Sequence, residues 1–194
     1  MACSRWPSKL RETTCANRRT VGRMNTSDFI IDLVQRTRDS LAGIRELTAA
    51  ELTAHPADHP NSVSWLLWHA GREMDVQFAQ LSDTEEVWSE QDFSTRFDLG
   101  PVGDTIGYGH SREEATQINT TDQSLLNSYV LAVLEGIDQQ AKKWSDADWD
   151  FVIGEYDGQK ITRRVRTTSL LIDAIEHLAQ AMYVTGMPQT GAKD

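Results

Sequence analysis

Cysteine is almost absent from this 194-residue chain: only Cys3 and Cys15 are present, so residues 16 to 194 contain no thiol. No disulfide or cysteine-ligated metal can brace that stretch, and any metal chemistry in it must use nitrogen and oxygen donors. Long apolar runs are also missing. No stretch approaches the roughly 20 residues needed to span a bilayer, and the opening MACSRWPSKLRETTCANRRTVGR lacks the apolar centre of a secretory signal. The expectation is a cytoplasmic protein with no membrane partner. Nothing in the composition suggests a collagen, a coiled coil or a disordered chain. With 39% hydrophobic and 25% charged residues, the length suits one globular domain with its own core.

Positive charge is scarce outside the N-terminus. Residues 1–23 hold six basic residues against Glu12, a net +5, so the chain's −10 leaves −15 for residues 24 to 194. A body that acidic repels a phosphate backbone, and no nucleic-acid partner is expected. MNTSDFIIDLVQ restarts at Met24 with a helix N-terminus, so residues 1–23 read as a disordered extension or a start assigned too early. A basic targeting tail is the functional alternative, although the arginines follow no amphipathic period. The domain is expected over residues 24–187, followed by a tail at 188–194.

Within it, apolar residues from Ile30 to Leu47 recur at helical spacing, with Thr26 or Ser27 as cap. TAAE at 48–51 reads as a capping box, and Pro56 and Pro60 then break the chain. Ser62 or Ser64 caps a second helix whose core row is Leu67, Gly71, Met74, Phe78 and Leu81. The Gly-, Asp- and Ser-rich stretch to Gly109 predicts an extended crossover, long enough to be a lid or a site wall. SREEATQI predicts a short helix and TDQSLLNSYVLAVLEGIDQQAKKW a long third one. Asp157-Gly158 marks a hairpin turn, after which Thr168 or Ser169 caps a fourth long helix, stopped by Gly186 and Pro188. The fold class is all-α: a four-helix bundle with a long crossover between helices 2 and 3 and a small β-hairpin before helix 4. Such bundles build metal and ligand sites in the core from facing helices.

Three motifs fail on spacing. DADWDF at 146–151 starts like a calcium loop, but Phe151 replaces the sixth-position glycine and Asp157 the twelfth-position glutamate. His55 and His59 have ligand spacing but flank Pro56. GPVGDTIGYGH lacks the glycine spacing of a dinucleotide loop. Others remain open. His69, directly after Trp68 and four residues after Trp65, is either a packed structural imidazole or a ligand. Asp173 and His177 share a helix face, which is either a wet edge or a site. His110 ends the crossover and either lines a pocket or faces solvent.

NSVSWLLWHAGREMD, WSEQDF, GYGHSREE and IEHLAQAMYVTG, in this order, resemble an actinobacterial member of the DinB/YfiT-like superfamily over about residues 26–187. The resemblance implies a four-helix bundle holding a divalent metal, zinc or nickel, with a histidine from the second helix and two ligands from the last. His69 matches the first position. Two histidines four apart are the commoner arrangement on the last helix, and Ala181 stands where the second would be. The branch typified by mycothiol-dependent maleylpyruvate isomerase instead places a carboxylate four residues before the histidine, an arrangement that Asp173 and His177 supply with an acid one methylene shorter.

Two imidazoles and a carboxylate make the ligand set of an open catalytic zinc site, able to lower the pKa of a coordinated water or thiol. The thiol would be a small co-substrate such as mycothiol. Glu73 is an alternative ligand or an acceptor for an imidazole N–H, and Gln180 can act likewise. Arg72 either recognises an anionic substrate or pairs at the surface with Glu73 or Asp75. Three functions stay open at this level: a metal-dependent enzyme acting on a small-molecule thiol or electrophile, in transfer or isomerisation; a metal- or ligand-binding stress protein without turnover; and a degenerate structural or dimerisation bundle without metal. A homodimer through helix faces is compatible with each.

Overall fold

The computed structural model describes residues 24–187; the expected N-terminal extension and C-terminal tail lie outside them. The described chain is mostly helical, with one small antiparallel hairpin. Its long helices are α1 (Thr26–Ala42), α3 (Val63–Ser82), α7 (Gln123–Ala141) and α9 (Arg163–Thr185), and each packs on two others in the cyclic order α1, α7, α3, α9. Five short helices join them: α2 (Ala49–Leu52), α4 (Val87–Glu90), α5 (Phe93–Phe97), α6 (Arg112–Gln117) and α8 (Asp146–Trp149). Strands β1 (Val152–Tyr156) and β2 (Gln159–Thr162) precede α9.

Side chains spaced three and four apart fill the centre of the cycle. Ile30 and Val34 from α1, Leu67 and Met74 from α3, Leu126 and Leu134 from α7, and Leu171 and Leu178 from α9 are all fully buried. Each such burial stabilises by about 1.5–3 kcal/mol, and the paired helices gain it only by packing together. Helix α3 is buried over most of its circumference. Gly71 permits one close approach: a Cβ there would fall 2.7 Å from the Tyr129 ring of α7.

Local chemistry decides the boundaries. Asn25 caps α1 through a reciprocal box with Asp28, one residue before the expected Thr26 or Ser27. The helix ends at Ala42, although Ile44 and Leu47 beyond it still enter the core. Ser62 caps α3. The boxes Thr48/Glu51 and Ser111/Glu114 form as expected. Asp157 and Gly158 both take positive φ, the turn that suits a twisted two-residue hairpin.

Two expectations need correction. Helix α9 starts at Arg163, capped by Thr162, rather than at Thr168 or Ser169; the hairpin's second strand runs straight into it. The crossover from Asp83 to Gly109 is not extended. It folds into α4, α5 and a 3-10 turn at Gly100–Asp104, with Trp88, Phe93 and Phe97 buried against Tyr129. Asp75 on α3 nucleates this structure by accepting the Val87 and Trp88 N–H groups, each at 2.8 Å, at the start of α4.

Candidate metal centre

The core row of α9, namely Leu171, Ala174, Leu178 and Ala181, turns Asp173 and His177 to one side of it, along the seam with α3. On α3, His69 and Glu73 occupy the matching position. Because the helices run antiparallel at this seam, His69 meets His177 and Glu73 lies beside Asp173. Donor atoms of His69, Glu73, Asp173 and His177 all lie within 4.8 Å of one another. The stripe on the last helix therefore contributes Asp173 and His177 to a four-residue group that could hold a metal ion.

Hydrogen bonds decide the state of each ring. His69 Nδ1 faces the Ile106 carbonyl, which can only accept, so Nδ1 carries the proton and Nε2 the lone pair. His177 Nδ1 lies 3.3 Å from Gln180 Oε1, which leaves its Nε2 with the lone pair too. These two Nε2 atoms stand 3.1 Å apart. Glu73 Oε2 is 3.3 Å from His69 Nε2, and Asp173 Oδ2 is 3.3 Å from His177 Nε2. Ligands at about 2.0–2.1 Å from a tetrahedral zinc are separated by about 3.3 Å, so these spacings are those of corners around one ion.

The electrostatics agree. The Asp173 carboxyl is pushed up to about 7, first by burial and then by Glu73, while Glu73 is held down to about 2, chiefly by the His69 imidazole beside it. Burial lowers His177 and keeps the ring neutral. Asp173 Oδ2 is buried without a hydrogen-bond partner. A cation placed among facing lone pairs and an orphaned carboxylate oxygen would satisfy all of them, so the residues fit a divalent metal.

The crossover forms one wall. His69 stacks on Trp65 at 4.4 Å, and Gly107 at φ +85° brings the loop so close that a Cβ there would fall 3.0 Å from His69 Nδ1. Arg72 is not at the surface: it is 2% exposed and donates to the Thr105 and Asp104 carbonyls, to Glu86 and to Tyr129, over the Trp88 ring. It holds the loop whose next carbonyl orients His69. His110 lies outside the donor group, stacked on Trp68 with Nδ1 accepting the Trp65 indole N–H, and burial lowers its pKa. His55 Nδ1 bonds the His59 carbonyl, and His59 Nδ1 accepts the Asn61 N–H. Sequence reasoning missed the Ile106 carbonyl and the role of Gly107, which no residue type announces. It also missed Gln77, which donates to Glu73 at 2.9 Å and stands four residues after it on α3.

Two hollows flank the group. One of about 640 Å³, mostly apolar, lies beyond Gln180 and is lined by Leu66, Tyr183 and Val184. The other, of about 440 Å³, begins at Gln77. No helix among the described residues is long and apolar enough to cross a membrane.

Neither protein-family models nor curated proteins give a match to the chain. Among solved structures it is similar to a conserved protein from Enterococcus faecalis, with a TM-score of 0.75 and 27% identity, over 84% of this chain and 96% of that one.

Proposed function

We propose that the chain is a DinB-like, divalent-metal-dependent enzyme that activates a low-molecular-weight thiol of the mycothiol type for transfer or isomerisation. The observation that carries the metal is the pair of Nε2 lone pairs facing each other at 3.1 Å beside the unpartnered Asp173 Oδ2. His69, His177 and Asp173 would hold the ion, zinc or nickel by donor type. Asp173 is the carboxylate that needs it, because Glu73 already accepts from Gln77. Bound there, the ion would supply Lewis acidity sufficient to bring a coordinated thiol to its anion near neutral pH. Trp65 and the Ile106–Gly107 backbone keep the His69 side dry. Residues 16 to 194 contain no cysteine, which makes the thiol a small molecule.

Glu73 also favours a second reading. If it takes the fourth corner, the tetrahedron is closed by protein, as in structural sites, and the protein binds metal without turnover. Elemental mass spectrometry on the tag-free chain, beside Asp173→Ala and His177→Ala, tests the centre: about one metal per chain, lost in both variants while the helical spectrum persists. No metal after zinc or nickel is supplied would refute it. Metal-dependent thiol binding in the wild type, retained in Glu73→Gln, separates the open site from the closed one.

A further inference from the structure

We propose that the groove at the start of α9 binds a small organic anion, a carboxylate on an apolar body, and presents it to the metal centre. This rests on the metal reading for its consequence in a reaction but not for binding. The groove, of about 440 Å³, has an apolar floor of Leu81, Phe151 and Ile153 and a polar end of Gln77, Arg163 and Arg166. The stretch entering the hairpin leaves Phe151 56% and Ile153 38% exposed, large apolar side chains facing solvent.

The arginines carry the argument. Among the described residues six arginines, Arg36, Arg38, Arg45, Arg72, Arg112 and Arg164, make ion pairs. Arg164 pairs with Asp150 at 2.5 Å, but among the described residues neither Arg163 nor Arg166 makes an ion pair. Arg163 Nε is buried without an acceptor, and its guanidinium lies over the rings of Phe151 and Trp144. Arg166 donates only to the neutral Gln77 Oε1, at 3.4 Å. Both stand in the first turn of α9, where the macrodipole opposes positive charge. An anion in the groove would relieve both the orphaned donor and the repulsion, in the planar geometry that guanidinium groups match.

The groove reaches the metal donors through one residue. Gln77 takes Arg166 on its oxygen and gives its N–H to Glu73, about 6 Å along the helix. A ligand with its apolar body on Phe151 and Ile153 and its carboxylate on the arginines has that carboxylate end beside Gln77, one hydrogen bond from Glu73.

The test uses phenylacetate and its neutral counterpart phenylacetamide, titrated by calorimetry and tryptophan fluorescence into the full chain, zinc-loaded and chelator-treated. Saturable phenylacetate binding is expected in both forms, with phenylacetamide weaker by about tenfold or more. Arg166→Gln, an exposed position, should weaken phenylacetate about tenfold with helicity and metal content unchanged. The proposal fails if nothing binds, if acid and amide bind alike, if chelation abolishes phenylacetate binding, since the carboxylate was then on the metal, or if Arg166→Gln and Arg163→Gln both leave affinity intact. Failure of the metal reading looks different: zinc is not retained, while the chelator-treated chain still binds phenylacetate.

Discussion

His69 Nε2 lies 3.1 Å from His177 Nε2, although the residues are 108 positions apart in the chain. Each ring has committed its other nitrogen as a donor, His69 to a backbone carbonyl and His177 to Gln180, so two lone pairs meet where a hydrogen bond would need one proton. Burial disfavours supplying that proton by charging a ring, as the lowered pKa of His177 shows. The arrangement is thereby poised for a cation.

Removing the metal should therefore destabilise the fold. A ligand at 100 times its dissociation constant stabilises the folded state by about 2.7 kcal/mol. For a domain of this size the corresponding fall in Tm on chelation is roughly 5–10 °C. Scanning fluorimetry of the zinc-loaded chain, with and without chelator, measures it. His177→Ala should show no such difference.

Metal binding should also release a proton, in a defined pH window. In the metal-free chain the Asp173 carboxyl sits at about 7, above its ordinary value. The folded state thus holds a proton that the unfolded state loses at about 4, and on this account metal-free stability declines as pH rises from about 4 to 7 and is level above. A metal ligand must be ionised, so loading below 7 displaces that proton and loading above it does not. Calorimetry in buffers of different ionisation enthalpy should find proton release approaching one per metal at pH 6 from this group and little at pH 8. Equal release at both would contradict the assignment of Asp173.

Asp173 and His177 were legible in the sequence because i, i+4 spacing is local, and His69 because a resemblance pointed to it. The partnership of His69 with His177 and of Glu73 with Asp173 was not, since it depends on the antiparallel register of α3 against α9. The short helices of the crossover were hidden for a related reason: α4 takes its N-terminal acceptors from Asp75, a residue on another helix. The start of α9 was misplaced because Thr162 closes a strand and caps a helix at once, whereas Thr168 and Ser169 have the residue type of a cap but lie within the helix.

Arg72 offers a test of the crossover as a built wall. Replacing it with methionine keeps the apolar stem but strands Glu86 and the carbonyls of Asp104 and Thr105. Breaking one side of a buried charge network costs about 3–5 kcal/mol. Urea unfolding should show that loss, and hydrogen exchange should place the new mobility in residues 84–107. A loss under about 1 kcal/mol would mean that water replaces the guanidinium at little cost.

Gly107→Ala probes the same wall at the metal donors themselves. Its φ of +85° already disfavours a side chain, and the new Cβ would meet Trp65 at 2.9 Å and Trp68 and His69 Nδ1 at 3.0 Å. None of these contacts can yield cheaply, because both indoles are buried and the imidazole is fixed by the Ile106 carbonyl. The loop must lift, and His69 then loses the acceptor that keeps its proton on Nδ1. Loss of such an outer partner typically costs about 10–100-fold in metal affinity. Competition with a chromophoric chelator should find that loss while the helical signal at 222 nm stays near wild type. If affinity is unchanged, the Ile106 carbonyl does not orient the ring, and the wall serves only to pack the indoles.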